Sequence, residues 1–178
     1  LDTAQTAWSG VKWNTLDCVT LEATINVAAQ SGDFSGYIYF GLKQTNTSVV
    51  ATDDNQALII FNTANTLSVS ATKFVCVNST DATGSVVDNA WDSGVTFATG
   101  TNYHLMIQLD PNRVPYYYIN GIHVGTGTGL PGTGVTTTNG RMKTNIDLIP
   151  YIGQIQKANS TAVATTVRSI AIEKNYND

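Results

Sequence analysis

Apolar and polar residues alternate along much of this chain. Between residues 18 and 27 the alternation is strict, with Val19, Leu21, Ala23, Ile25 and Val27 on one side and polar or small side chains between them. A period of two is typical of a half-buried strand, and no window of helical length repeats apolar residues at helical spacing. We therefore predict an all-β chain, an antiparallel β-sandwich. The other predicted strands are 36–43, 56–62, 66–71, 73–77, 102–109, 114–119, 122–126, 146–156 and 163–174.

The dipeptide Asn120-Gly121 separates two runs rich in aromatic and β-branched residues. Such a dipeptide predicts a type I′ hairpin turn, which needs positive φ at both central residues. A two-residue turn pairs Ile119 with Ile122 and Tyr118 with His123, and paired residues share a face of the sheet. By this register Tyr117 pairs with Val124, so the residues expected to face the core are Tyr117, Ile119, Ile122 and Val124.

The strand 102–109 alternates in the same way, and the polar segment 110–113 is a suitable turn between it and the hairpin. The three strands should form a meander with one apolar face. Its other face is predicted to carry Tyr116, Tyr118, His123, His104, Met106 and Gln108.

The remaining segments read as connections. We interpret 53–55 and 81–84 as turns, 88–94 as a loop that contains Trp91, and 125–140 as a long mobile loop. Residues 1–17, with Trp8 and Trp13, are expected to form an N-terminal segment, and 18–178 a single domain. The chain begins at Leu1, so an upstream piece is expected to have been removed or to lie outside this sequence.

Composition excludes several classes of partner. Only 12% of residues are charged, against roughly 25% in ordinary domains, and the net charge of −4 offers no basic stripe for nucleic acid. The longest apolar run, 57–61, is far too short to span a membrane. Cys18 and Cys76 fit neither a zinc site nor a disulfide scaffold. We expect free thiols, with a single bridge between them as the alternative.

The meander resembles the later part of concanavalin A-like jelly rolls of the laminin-G and lectin/glucanase type. The resemblance rests on YHLMIQL at 103–109 and YYINGIHVG at 117–125, and LIPYIG at 148–153 fits it as well. The closing VRSIAIE at 167–173 matches the strand that returns beside the first strand in such folds. The resemblance covers residues 18–174 and implies a concanavalin A-like jelly roll.

No catalytic, metal or cofactor site is expected. The glucanases that the chain resembles carry a Glu-x-Asp-x-x-Glu motif, but this chain has only Glu22 and Glu173, on separate strands. If the first and last strands pair, the two glutamates would lie near the separation that glycoside hydrolysis needs. The favoured interpretation is that both are carboxylates that only face solvent. Asp53 and Asp54 are turn residues in our interpretation, with calcium binding as the alternative. The glycine-rich run 127–132 is not followed by a helix that could hold a pyrophosphate.

The polar face of the meander is the candidate binding site. We predict that its residues are Tyr116, Tyr118, His123 and His104, joined by Trp91. Aromatic rings on a sheet can stack on sugars. The resemblance to glucanases of this fold implies that a glycan would lie on this polar face. The same rings also suit packing against another subunit, which is the favoured interpretation.

Weakly charged, Thr- and Asn-rich jelly rolls without a catalytic motif resemble accessory domains of phage virions. The resemblance implies a non-enzymatic structural protein, a head-decoration, head-fibre or tail-fibre domain on the virion surface, hence extracellular. It would mediate assembly with other virion proteins or with copies of itself as a homo-oligomer, and adhere weakly to host glycan. The alternative is a secreted carbohydrate-binding or adhesin module, and a glycan-cleaving enzyme is third.

Overall fold

The computed structural model describes residues 3–7, 12–29, 34–45, 53–63, 69–80, 89–127, 140–156 and 163–174. Within these ranges the chain is built from antiparallel strands, and its helical part is one 3-10 turn at Thr15–Asp17. None of the described helical residues forms a segment long and apolar enough to cross a membrane. The strands are β1 (Thr3–Ala7), β2 (Trp13–Asn14), β3 (Val19–Val27), β4 (Gly36–Lys43), β5 (Gln56–Asn62), β6 (Lys73–Ser79), β7 (Asn89–Thr96), β8 (Asn102–Leu109), β9 (Pro115–Ile119), β10 (Ile122–Thr126), β11 (Asp147–Gln156) and β12 (Thr165–Lys174).

The strands form two sheets that face each other. The larger sheet has the order β1-β11-β4-β5-β6-β7, with β2 also paired to β11. The smaller sheet has the order β10-β9-β8-β3-β12. All described pairings are antiparallel, and the last strand β12 returns beside β3, as the resemblance implied. The predicted antiparallel β-sandwich is confirmed.

Alternate side chains of the smaller sheet face the core and away from it, which is the expected cause of the period-two pattern. In β3 every odd-numbered residue from Val19 to Val27 is buried and every even-numbered one is partly exposed. β8 and β9 repeat this alternation, so Leu105, Ile107 and Tyr117 enter the core between the sheets while their neighbours point away from it. The smaller sheet therefore has one apolar face and one polar face, as the sequence predicted.

In the larger sheet β4, β5, β6 and β11 are buried on both faces, which explains the unbroken apolar runs in these strands. Ile38, Phe40 and Ile59 belong to the core between the sheets. On the opposite face lies a second apolar cluster formed by Tyr39, Leu58, Ile60, Val75, Val77 and Tyr151. Strands buried on both faces lose the alternation of polar and apolar residues.

The Asn120-Gly121 turn is confirmed, but the register beyond it differs from the prediction. Both residues have positive φ, 52° and 78°. A β-bulge after His123 pairs Tyr117 with Gly125, and Val124 is the extra residue. Val124 reaches the core as expected, whereas Ile122 is 65% exposed. Ile122 keeps its predicted pairing with Ile119, but it lies on the edge strand β10 and is not buried, so the prediction that it belongs to the core is wrong.

Some connections were misjudged from the sequence. The predicted loop that contains Trp91 is strand β7, which pairs with β6. The sequence of this edge strand is polar and contains Gly94, so it shows no apolar alternation. Only Trp91 among its eight residues is buried. Residues 69–71 of the predicted strand 66–71 form no strand, and 66–68, 81–84 and most of the 125–140 loop lie outside the described residues.

The N-terminal segment takes part in the larger sheet. β1 pairs with β11 over its five residues, and β2 pairs with the beginning of β11. Trp13 packs against the core between the sheets, whereas Trp8 lies outside the described residues. The division of the chain at residue 17 stays a prediction.

Candidate functional site

The outer face of the smaller sheet carries four of the five predicted site residues. Tyr116 and Tyr118 lie two positions apart on β9, and His123 of β10 lies between their rings. The imidazole is stacked on Tyr116 with ring centroids 5.7 Å apart and tilted against Tyr118 at 5.2 Å. We call Tyr116, Tyr118 and His123 the aromatic row. All three side chains are partly exposed.

His104 lies next to this row on β8. Its Nε2 is 3.2 Å from a carboxylate oxygen of Glu22 on the neighbouring strand, and both side chains are about 40% exposed. Met106 pairs with Glu22 on one side and with Tyr118 on the other, so it links the ion pair to the aromatic row. The face therefore combines aromatic, thioether and polar groups in one continuous strip.

A shallow depression of about 250 Å³ opens beside the aromatic row, where β8 ends. Tyr116 and Tyr118 form one wall, and Gln108 and Asp110 supply an amide and a carboxylate. One oxygen of Asp110, Oδ1, accepts the Val114 amide at 2.7 Å in the turn. The described lining is completed by Cys18, Leu109 and Pro111.

The Nε2 atom of His123 is buried without a hydrogen-bond partner. The ring therefore contributes aromatic surface and fixes the spacing of the two tyrosines. Because the three rings contact each other before any ligand arrives, the aromatic row loses little side-chain entropy on binding.

Trp91 is not part of this face, which corrects the sequence-based prediction. It is 7% exposed in the core between the sheets and lies edge-on to Tyr117 at 5.1 Å. Its Nε1 donates to the Val124 carbonyl at 3.2 Å, on the bulged part of β10. The side chain is core because β7 is a strand with Trp91 on its inner side.

A buried polar cluster on the larger sheet was not predicted as a pair from the sequence. The side chains of Lys43 and Asp53 are almost fully buried, with Nζ 3.8 Å from Oδ2. The Lys43 ammonium also lies 5.1 Å from the centre of the Tyr151 ring. Burial lowers the pKa of Lys43, and the neighbouring Asp53 carboxylate opposes part of that shift. Lys43 and Asp53 are ten positions apart, so only the strand geometry brings them together.

The contacts of Asp53 favour its interpretation as a turn residue. Its Oδ2 accepts the amides of Gln44 and Thr45, each at 3.0 Å, and its Oδ1 accepts the Thr45 hydroxyl at 2.7 Å. These bonds use both oxygens, while Asp54 is exposed. The described residues contain no group of three His, Cys, Asp or Glu side chains placed to hold a metal ion.

The remaining chemical candidates are separated from one another. Cys18 and Cys76 are buried free thiols, and burial raises the pKa of Cys76 above its ordinary range. Glu173 pairs with Thr20, and Glu22 with Ala171, so the two glutamates are diagonal neighbours on the outer face. The described contact of Glu22 is with His104 and not with a second carboxylate.

Comparison with known proteins places the chain by its fold. No protein-family model and no curated protein matches this sequence. The carbohydrate recognition domain of Emp47p superposes with a TM-score of 0.64 at 12% identity, over 93% of this chain and 75% of that one. The potassium-bound form of the corresponding Emp46p domain gives 0.63 at 13%, over 96% and 77%.

An enzyme has the same architecture. Alginate lyase A1-II′, a member of polysaccharide lyase family 7, superposes with a TM-score of 0.56 at 15% identity, over 92% of this chain and 65% of that one. Similarity at these identities describes architecture and carries no activity with it. The chain is an antiparallel β-sandwich with the concanavalin A-like jelly-roll fold.

Proposed function

We propose that this chain is a non-catalytic carbohydrate-binding module whose binding surface is the aromatic row with the adjoining depression. The observation that carries the proposal is the position of Tyr116 and Tyr118 beside Gln108 and Asp110. The Emp46p and Emp47p domains of the same fold are carbohydrate recognition domains, which supports the ligand class.

The chemistry of the surface suits a sugar ring. Aromatic faces pack against the C–H side of a pyranose, and amide or carboxylate groups hydrogen-bond its hydroxyls. The depression is shallow, at about 250 Å³, whereas sites for drug-sized ligands have about 300–1,000 Å³. We therefore expect one sugar unit in contact and weak binding, with a dissociation constant on the order of 1 mM.

Absence of catalysis is part of the proposal. Glu22 and Glu173 both lie on the outer face of the sheet and are well exposed. Glycoside hydrolysis needs two carboxyl groups placed on either side of the scissile bond. Glu22 instead contacts His104, and Glu173 is exposed, which supports a binding role.

The test compares ring removal with ring retention. Wild type is screened on a glycan array, and hits are titrated by NMR. Tyr116→Ser with Tyr118→Ser should abolish binding, whereas Tyr116→Phe with Tyr118→Phe keeps the stacking surface and should stay within about fivefold. Stability should change little in either variant, because Tyr117 and Ile119 hold the core side of the strand. A wild type that binds no glycan, or a serine variant that binds as well as wild type, contradicts the proposal.

A second candidate function is a structural role on a virion surface, as a phage head-decoration, head-fibre or tail-fibre domain. It is favoured by apolar side chains exposed on both edge strands of the smaller sheet, Ile122 at 65%, Val167 at 39% and Ile170 at 38%. These edge residues, and the exposed rings of the aromatic row on the outer face, are side chains of the kind that form the aromatic-rich, charge-poor core of a protein interface. The partners would be other virion proteins or copies of this chain.

Sedimentation separates the two candidates. For the virion role, the wild type should form an oligomer or join a particle. The double serine variant should shift towards monomer, with a free energy of association weaker by about 2 kcal/mol or more if the tyrosines are hot spots. A monomeric wild type that joins no particle, yet binds a sugar that the serine variant loses, rejects the virion role and leaves the carbohydrate-binding module.

A further inference from the structure

A second cavity lies between the sheets, at the end of the sandwich where β8 begins. Its volume is about 650 Å³, within the range of small-molecule sites. The depression beside the aromatic row lies at the other end of β8, about 24 Å away along an eight-residue strand. The two are therefore separate sites. The described lining is Phe34, Ser35, Phe61, Thr63, Ala71, Thr72, Thr96, Phe97, Ala98 and Thr99.

Aromatic rings form the floor of this cavity. Three of the five phenylalanines in the chain line it, namely Phe34, Phe61 and Phe97, and Phe97 stacks on Phe61 with centroids 3.9 Å apart. Phe34 lies 5.9 Å from Phe97. An apolar or aromatic guest would remove apolar surface of these rings from solvent, which favours binding.

The described part of the rim is uncharged and is held in place by hydrogen bonds. Tyr103 fixes it by accepting the Ala98 amide at 2.8 Å and donating to the Thr96 carbonyl at 3.1 Å. The Phe97 amide donates to the Thr72 carbonyl at 3.0 Å. Four threonines and one serine line the cavity, and none of the described lining residues carries a charge. A charged ligand would be desolvated here without a partner, whereas a neutral one with a hydroxyl group could bond the rim.

We propose that this cavity is a binding site for a small neutral aromatic compound that carries a hydroxyl group. The ring of the ligand packs on Phe97 and Phe34, and its hydroxyl bonds the threonine rim. The site is independent of carbohydrate binding at the aromatic row.

Benzyl alcohol is the probe, with benzoate and benzylamine as charged analogues of similar size. In amide correlation NMR spectra, benzyl alcohol should cause saturable shifts centred on Thr72 and residues 96–99. Both charged analogues should bind at least tenfold more weakly. Absence of saturable shifts with benzyl alcohol, shifts centred elsewhere, or equal binding of the three compounds would overturn the proposal.

Filling the cavity gives the matched test. Ala98→Phe places a ring in the space and should weaken benzyl alcohol binding at least tenfold, while any sugar binding at the aromatic row stays unchanged. Ala164→Phe makes the same change at an exposed position outside the cavity, and should stay within twofold of wild type. If Ala98→Phe does not fold, Phe97→Leu removes the stacked ring and should weaken binding at least threefold. A folded variant at either position that binds like wild type refutes the site.

Discussion

At the scale of single residues, Asp53 is the side chain on which the connection after β4 depends. Its carboxylate accepts two backbone amides and one hydroxyl from Gln44 and Thr45, and it lies beside the buried Lys43 ammonium. A buried carboxylate with several donors stabilises the fold chiefly because removal leaves those donors and a nearby charge uncompensated. The neighbouring Asp54 is exposed and offers a direct comparison.

We therefore expect Asp53→Ala to lower the free energy of unfolding by about 3 kcal/mol or more, measured by urea denaturation at pH 7. Asp54→Ala is the matched control and should stay within about 0.5 kcal/mol of wild type. Adding Lys43→Met to Asp53→Ala should recover part of the loss, because the buried charge goes with it. Equal effects of the Asp53 and Asp54 substitutions would show that the buried pair is not important for stability.

At the scale of elements, the β9–β10 hairpin is determined by local turn chemistry on one side and by a bulge on the other. Asn120 and Gly121 both have positive φ, and the Asn120 side chain accepts the His104 amide at 2.9 Å. Beyond His123 the missing side chain of Gly125 leaves room for Trp91, because a Cβ on Gly125 would lie 2.2 Å from the indole nitrogen. Turn residues can be recognised from the local sequence, whereas the need for glycine at position 125 comes from a ring on β7.

Two substitutions at this hairpin test the role of the positive φ at Gly121 and the exposure of Ile122. Gly121→Ala should cost about 1 kcal/mol, since a Cβ there meets no atom within 4 Å and the penalty is the positive φ alone. Ile122→Thr should cost less than about 0.5 kcal/mol, because the side chain is 65% exposed. Thermal or urea unfolding measures both. A loss of about 2 kcal/mol or more for Ile122→Thr would show that this side chain is packed in the core after all.

At the scale of the whole molecule, the two apolar clusters enclose several groups that keep their protons at high pH. Burial is the main cause that raises the pKa of Tyr39, Tyr117, Tyr151 and Cys76 above their ordinary values. The unfolded chain releases these protons at pH values near 8.5 for a thiol and near 10 for a phenol. Above those values the folded state binds more protons than the unfolded state, so stability falls as pH rises.

The expected result is a steady loss of stability between about pH 8.5 and 11. Each group contributes about 1.4 kcal/mol per pH unit above its ordinary pKa. The lowered pKa of Lys43 has the opposite effect on stability as pH rises. Because it is one group and the groups with raised pKa values are four, the net effect is a loss of stability. Urea midpoints across this range give the slope, and tyrosinate absorbance should show that Tyr39 and Tyr117 titrate only on unfolding. Tyr117→Phe should reduce the slope by about 1.4 kcal/mol per pH unit above pH 10, and an unchanged slope would contradict the assignment.

The sequence predicted the parts of the fold that depend on short-range patterns. Strict alternation located β3, β8 and β9, and the Asn120-Gly121 pair located the turn, because strand pleat and turn dihedrals are local properties. It also indicated that Tyr116, Tyr118, His123 and His104 share a face. The sequence missed β7, since the polar residues of an edge strand carry little apolar signal.

By itself, then, the sequence determined the all-β class, most of the strands and the polar face that carries the aromatic row. Only the tertiary structure decided which side chains meet across strands and sheets. It placed Trp91 in the core, moved Ile122 to the surface, paired Lys43 with Asp53 and gathered three phenylalanines around one cavity. The physical reason is that alternation assigns a residue to a face, whereas contact between residues far apart in the chain depends on register, bulges and the packing of one sheet on the other.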